Sequence, residues 1–267
     1  NFAGEKHIAL TIGKKGAELA ISKMKVTGVP KKTEWKKEAA ATGITLTDFK
    51  VMNGRTELKE NTDYTVTYEN NDVVGTATLV LTGTGTANAE GISYHGVKRI
   101  NFAITGTSLS GIVVNNLPKA GYPYTGDEIQ PLELKDENGN ALITVTMKKN
   151  GPEVDSDVYE VRYEKNKDKG TASMIFTGKA DQGYTGTKKV TFKIAAASLT
   201  EGYSLHVAEE AVYTAGGTTP EVTVTDASGE ELKAGVDYTV SYKNNKAVTT
   251  DTTKKKPVAV VKGKGNY

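Results

Sequence analysis

Asp63-Tyr64-Thr65-Val66-Thr67-Tyr68-Glu69-Asn70 is the stretch that decides the fold, because the chain writes it three times. It returns as Val158-Tyr159-Glu160-Val161-Arg162-Tyr163-Glu164-Lys165-Asn166, then as Asp237-Tyr238-Thr239-Val240-Ser241-Tyr242-Lys243-Asn244. Apolar and polar residues alternate in each copy, the period of a half-buried β-strand. Tyr64, Val66 and Tyr68 are expected to face a core while Thr65 and Thr67 face water. Tyr159, Val161 and Tyr163 repeat that face, and Tyr238, Val240 and Tyr242 repeat it again. A recurrence of this size predicts three copies of one small module in series.

Other strands are copied with it. Ile100, Phe102 and Ile104 share one face of a strand, Val190, Phe192 and Ile194 share another, and Ile8, Leu10 and Ile12 give the same pattern near residue 1. Ala77, Leu79 and Leu81 are matched by Ala172, Met174 and Phe176. Between strands, Asn53-Gly54 reads as a two-residue hairpin turn, with Asn138-Gly139 and Ser228-Gly229 at the equivalent places. No long segment carries apolar residues at helical spacing. Lys36 to Ala41 is the best helical stretch, and it is too short to stand alone.

The copies lay out the chain. Residues 1–15 read as the final strand of a preceding repeat, 16–105 as repeat 1, 106–195 as repeat 2, and 196–267 as repeat 3 without its final strand. The joints Thr105-Gly106-Thr107 and Ala195-Ala196-Ala197 are short, so a semi-rigid rod is expected. Residues 1–12 then have two expected places: along the first module, or in the gap of a neighbouring molecule's third module by intermolecular strand exchange.

Composition narrows the function. The 267 residues carry a formal charge of +2 with both signs interspersed, so no nucleic-acid partner is expected. No apolar run approaches membrane-spanning length, so no membrane insertion is expected either. With no cysteine there is neither disulfide nor thiolate chemistry. Lys254-Lys255-Lys256, Lys31-Lys32 and Lys36-Lys37 read as solvated loops or strand edges.

Catalytic, metal and cofactor sites were sought and none is expected. His7, His95 and His206 stand at non-equivalent positions without ligand spacing. Gly106-Thr107-Ser108-Leu109-Ser110 falls one residue short of a nucleophile elbow. Asp136-Glu137-Asn138-Gly139-Asn140 hints at a calcium loop, but its glycine is misplaced and Met147 stands where a bidentate glutamate belongs. Asp155 and Asp157 offer a looser calcium alternative. Glu209-Glu210 and Asp127-Glu128 are sequence neighbours, which a strand turns to opposite faces. Asn101 has the wrong parity to meet a buried lysine in an isopeptide bond. Trp35, Tyr124 and Tyr213 occupy matching positions and read as a repeated packing residue, whereas Tyr122 or Tyr203 could serve as a sugar-stacking platform.

Taken together, Tyr124-Thr125-Gly126 and Tyr213-Thr214-Ala215-Gly216, the Asp-Tyr-x-Val-x-Tyr-x-x-Asn strand, Gly75-Thr76-Ala77 and Gly170-Thr171-Ala172, Tyr184-Thr185-Gly186-Thr187 and Phe192-Lys193-Ile194 form a pattern over essentially the whole chain. It resembles the tandem repeats of cell-wall surface proteins and adhesins of gut Firmicutes, and is similar to MBG-type repeats. Copy three departs at Thr249 to Lys256, where Gly-Thr-Ala should stand, and copy one at Trp35. The resemblance implies an all-β, tandem array of three small Ig-like β-sandwich repeats, with β-grasp-like modules as the alternative. It implies an extracellular, non-catalytic stalk and adhesion module presenting loops to a host or matrix protein or glycan. The alternative function is that of carbohydrate-binding accessory repeats in a secreted glycan-active enzyme. The residues to which a role can be assigned are structural: Tyr64, Val66, Tyr68, Phe102, Ile104, Tyr159, Val161, Tyr163, Phe192, Ile194, Tyr238, Val240 and Tyr242.

Overall fold

The computed structural model describes residues 4, 5, 7, 16–208, 210–250 and 252–267. Ile8, Leu10, Ile12, Glu209 and most of the segment 1–15 lie outside the described residues. Strands take 43% of the structure, and the one α-helix among the described residues, Ala39–Thr42, ends at Gly43 with φ of 70°. The all-β expectation therefore holds, and the four-residue helix overlaps Lys36 to Ala41, the stretch read as too short to stand alone.

Contacts gather the chain into two compact units. The first comprises Asn1–Ser110, Asp155–Glu160 and Thr177–Thr187, and the second Gly111–Val154, Val161–Phe176 and Lys188–Tyr267. In the first unit a four-stranded sheet has the order Lys32–Glu34, Val97–Thr105, Gly75–Gly83, Tyr64–Glu69. Its central pair is antiparallel, with Ala77 opposite Phe102 and Leu79 opposite Ile100. Lys32–Glu34 joins in parallel, with Thr33 opposite Ile104. A second sheet holds Lys25–Thr27, Lys50–Asn53 and Thr56–Glu57. The two sheets share one core of Val51, Leu58, Tyr64, Leu79, Leu81 and Phe102, each at most 5% exposed. The alternation is what produces this: each sheet turns every second residue inward, and removing that apolar surface from water is the main drive.

The same strand order recurs as Tyr122–Pro123, Thr187–Ala195, Gly170–Gly178, Tyr159–Glu164. Opposite strands Val113–Asn115 and Thr144–Thr146 pair in antiparallel fashion. Late in the chain, Tyr203–Val207 pairs with Val222–Asp226, and Tyr238–Lys243 with Val258–Gly263. The last pair keeps the first copy's register: Tyr238 lies opposite Gly263 as Tyr64 lies opposite Gly83, and Val240 opposite Val261 as Val66 opposite Leu81.

The residues expected to form the repeated core differ in burial. Tyr64, Phe102, Ile104, Tyr159, Phe192, Ile194 and Tyr238 are buried, while Val66, Tyr68, Val161, Tyr163, Val240 and Tyr242 are half-buried. One turn needs correcting by a residue. The hairpin at Asn53 forms with Asn53 opposite Thr56, so its loop is Gly54-Arg55 and Asn53 belongs to the strand. Gly54 supplies the positive φ of 63° that a two-residue loop demands.

Candidate functional site

The Asp-Tyr-x-Val-x-Tyr-x-x-Asn motif closes on an asparagine two residues past its strand, and the structure shows what that residue does. Asn71 donates its side-chain amide to the Ile44 carbonyl at 2.9 Å, while its own carbonyl accepts the Ile44 N–H at 2.7 Å. Asn166 does the same to Ile129 (3.2 and 2.7 Å), and Asn245 to Thr218 (2.9 and 2.9 Å). One residue thus satisfies both backbone groups of a residue that lies in no strand and has no ladder of its own there. The last tyrosine of the motif completes the clamp two residues further on. Tyr68 Oη accepts the Leu46 N–H at 2.8 Å, and Tyr242 Oη donates to the Pro220 carbonyl. The motif aspartates act locally: Asp63 accepts the Lys59 N–H at 2.7 Å and Asp237 the Lys233 N–H at 2.8 Å, each closing the turn before its strand. The residue before each clamping asparagine is left-handed, with φ of 53° at Asn70, 55° at Lys165 and 55° at Asn244.

The aromatic position shared by Trp35, Tyr124 and Tyr213 does a second repeated job. In the first unit, Trp35 lies against Gly183, where a Cβ would collide with its six-membered ring. Its Nε1 donates to the Asp72 carbonyl at 2.9 Å. Around it, Val74 N–H donates to the Ala180 carbonyl at 3.0 Å and Thr107 N–H to the Gly183 carbonyl at 2.9 Å. In the second unit, Tyr124 meets Tyr267 edge-to-face at 5.4 Å, and Tyr203 meets the same ring at 5.8 Å. Lys169 N–H donates to Asn266 Oδ1 at 2.9 Å, and Ala197 N–H to the Asn266 carbonyl at 2.8 Å. Burial first, then the neighbouring Tyr124 and Tyr203, pushes the Tyr267 hydroxyl up to about 12. Tyr213, the third residue at this position, is 54% exposed. It borders a cleft with Ala211, Pro220, Val248 and Val258.

The remaining candidates are spread apart. Asp136 accepts the Asn138 and Asn140 N–H groups at 2.9 and 2.8 Å, and the Asn140 amide at 3.0 Å. These bonds, the Asn140 amide foremost, hold its carboxyl below the ordinary carboxylate range, and they make it the anchor of its own turn. Asp155 caps the short helical turn Ser156–Val158 through the Asp157 N–H. Among the described residues no group of three or more His, Cys, Asp or Glu side chains converges. His7, His95 and His206 are exposed, with His95 Nε2 3.0 Å from Ser93 Oγ. Asn101 faces out and meets Thr78 Oγ1 at 3.1 Å. Tyr122 and Tyr203, offered as stacking platforms, are spent on packing instead: Tyr122 stands edge-on to Phe192 at 5.8 Å, and Tyr203 to Tyr267. No protein-family model matches the chain, and no match among curated proteins is found.

Proposed function

We propose that this chain is a non-catalytic stalk and adhesion module of a larger bacterial cell-surface protein, made of three Ig-like β-sandwich modules in series and working outside the cell. The observation that carries the reading is the asparagine clamp, built three times at the same register and joined by the motif's last tyrosine at Tyr68 and Tyr242. A frame repeated with its hydrogen bonds intact, and loops that differ between copies, suits a spacer that carries variable contacts. Two sheets around one core, with no α-helix longer than four residues among the described residues, favour Ig-like over β-grasp-like modules. The carbohydrate-binding alternative rests on Tyr213, an exposed aromatic beside a cleft.

An array of glycans and matrix proteins, probed with the intact chain, tests both. Saturable binding to a matrix or host protein supports adhesion. Glycan binding abolished by Tyr213→Ala supports the alternative. Turnover of any glycan overturns the non-catalytic reading.

A further inference from the structure

We propose that the lysine-rich hollow at the start of the Gly170–Gly178 strand is a docking site for a sulfated polysaccharide. Two adjoining concavities of the second unit share Lys169, Gly170 and Thr171 as a common wall. One adds Lys119 and Lys193, the other Lys165 and Lys167. Five lysines thus stand against two acids in the same walls, Glu128 and Asp168. Asp168 is already occupied, accepting the Asn266 amide at 3.0 Å. Lys169 is occupied too, donating its Nζ to the Gly265 carbonyl at 2.8 Å. Lys119, Lys165, Lys167 and Lys193 are exposed, and among the described residues they pair with no carboxylate. Four uncommitted ammonium groups on one concave surface give it a positive field with no internal partner.

The frame does not ask for these lysines, because another copy builds it without them. Tyr163-Glu164-Lys165-Asn166-Lys167-Asp168-Lys169-Gly170-Thr171-Ala172 stands where the first copy has Tyr68-Glu69-Asn70-Asn71-Asp72-Val73-Val74-Gly75-Thr76-Ala77. The clamping asparagine and the Gly-Thr-Ala run are kept, while lysines replace Asn70, Asp72 and Val74. Lys193 likewise stands where the first copy has Ala103, between the shared phenylalanine and isoleucine. Lys165 is held against its own backbone preference. Its φ is 55°, in the left-handed region that asparagine tolerates better, and both other copies place asparagine there. A residue that breaks a local rule the frame could satisfy points to a use outside the fold. Lys193 is set from the other side. A Cβ at Gly121 would stand 3.0 Å from Lys193 Cγ and 2.8 Å from its carbonyl, so the glycine lets that segment close on the lysine stem.

The occupant follows from this charge and from the make-up of the walls. Open cationic surfaces recruit extended chains of closely spaced anions. The one aromatic residue lining either hollow, Phe192, is buried, so the walls offer no stacking platform of the kind that single-stranded nucleic acid uses. Thr171 and Thr191 add hydroxyls that suit the sugar oxygens between sulfates. The choice of a glycan as the polyanion rests on the extracellular reading given above.

Fluorescein-labelled heparin, titrated with the intact chain at about 150 mM salt, is the probe. Saturable binding is expected, weakening as salt rises. Lys165→Asn with Lys167→Asp restores the first copy's residues, so the fold is kept. This variant should bind at least about tenfold more weakly without a lowered unfolding midpoint. Glu128→Gln should bind more tightly. Two controls should bind as the parent does: Tyr213→Ala, and Lys254→Gln with Lys255→Gln and Lys256→Gln in the densest basic run. Absence of saturable heparin binding overturns the proposal, as does undiminished binding by the Lys165→Asn, Lys167→Asp variant. Loss of binding in either control, or tighter binding of a DNA duplex than of heparin, overturns it as well. Each of these failures leaves the stalk reading to the matrix-protein arm of the array, which does not depend on these lysines.

Discussion

In the first copy, the Gly75–Gly83 strand has neighbours on both edges; in the last, Val258–Gly263 pairs, among the described residues, with Tyr238–Lys243 alone. The two strands otherwise share register and clamp, with Asn71 and Asn245 each satisfying a crossing segment from both its amide and its carbonyl. Yet Leu81 is fully buried and Val261 is not. Hydrogen-bonded geometry and a dry core are thus separable: the ladder and clamp occur in both regions, the fully buried face only where Val97–Thr105 covers the strand. Apolar burial contributes in proportion to area removed from water, so side chains of the half-buried face are expected to contribute less.

The largest test of this contrast truncates the cover. Phe102→Ala should cost about 3–5 kcal/mol in denaturant unfolding, and Val261→Ala on the half-buried face roughly 1 kcal/mol. Equal costs would erase the difference between the two regions. The clamp should be indifferent to the cover. Asn71→Ala and Asn245→Ala are each expected to cost about 1–3 kcal/mol, because each strands the backbone C=O that the side-chain amide satisfied, while the N–H keeps its bond to the main-chain carbonyl. A loss at Asn71 alone would show that the cover, not the clamp, positions the crossing segment. Next comes Gly183→Ala, which adds a methyl against the ring of Trp35 at a φ of 79°. It should destabilise by roughly 1–3 kcal/mol and shift the emission of the chain's one tryptophan to the red. Lys165→Asn works in the other direction. The left-handed residue before the clamp is asparagine in the other two copies, so the swap should stabilise by up to about 1 kcal/mol, read as a raised unfolding midpoint.

The smallest effect is a response to alkali in the second unit. Tyr267 ionises near 10 when unfolded and at about 12 when packed. The folded form therefore holds its proton longer, and the stabilisation, complete below pH 10, is lost as pH rises through about 12. Tyr267→Phe should remove that step from the pH dependence of unfolding, and tyrosinate absorbance should lose its latest-titrating group.

Much of the frame was legible in the residues, because burial follows a period of two. Tyr64, Phe102, Ile194 and Tyr238 could be assigned inward positions without coordinates. The clamp was not legible, although Asn71, Asn166 and Asn245 were in plain view within the motif. Their partners Ile44, Ile129 and Thr218 sit in irregular segments to which no periodicity points. Trp35 and Tyr124 were matched by position, but Gly183 and Tyr267, the surfaces they meet, lie far along the chain. The turn at Gly54 was displaced by one residue because Asn-Gly favours a loop without stating which residue the ladder keeps. Contacts such as Val74 to Ala180 likewise make compact units that are not consecutive in sequence.

Within the first unit, Ala17–Ala20 runs parallel to Ile92–His95, with Leu19 opposite Tyr94 and Ala20 opposite His95. Lys32–Glu34 runs parallel to Val97–Thr105 as well. Tension applied at Gly16 and Gly106 would draw the first pair of strands in opposite directions along their own axes. Their bonds would then be sheared together instead of peeled one at a time, so rupture has to break the whole patch in a single event. A fold wired this way is expected to resist pulling better than its equilibrium stability suggests.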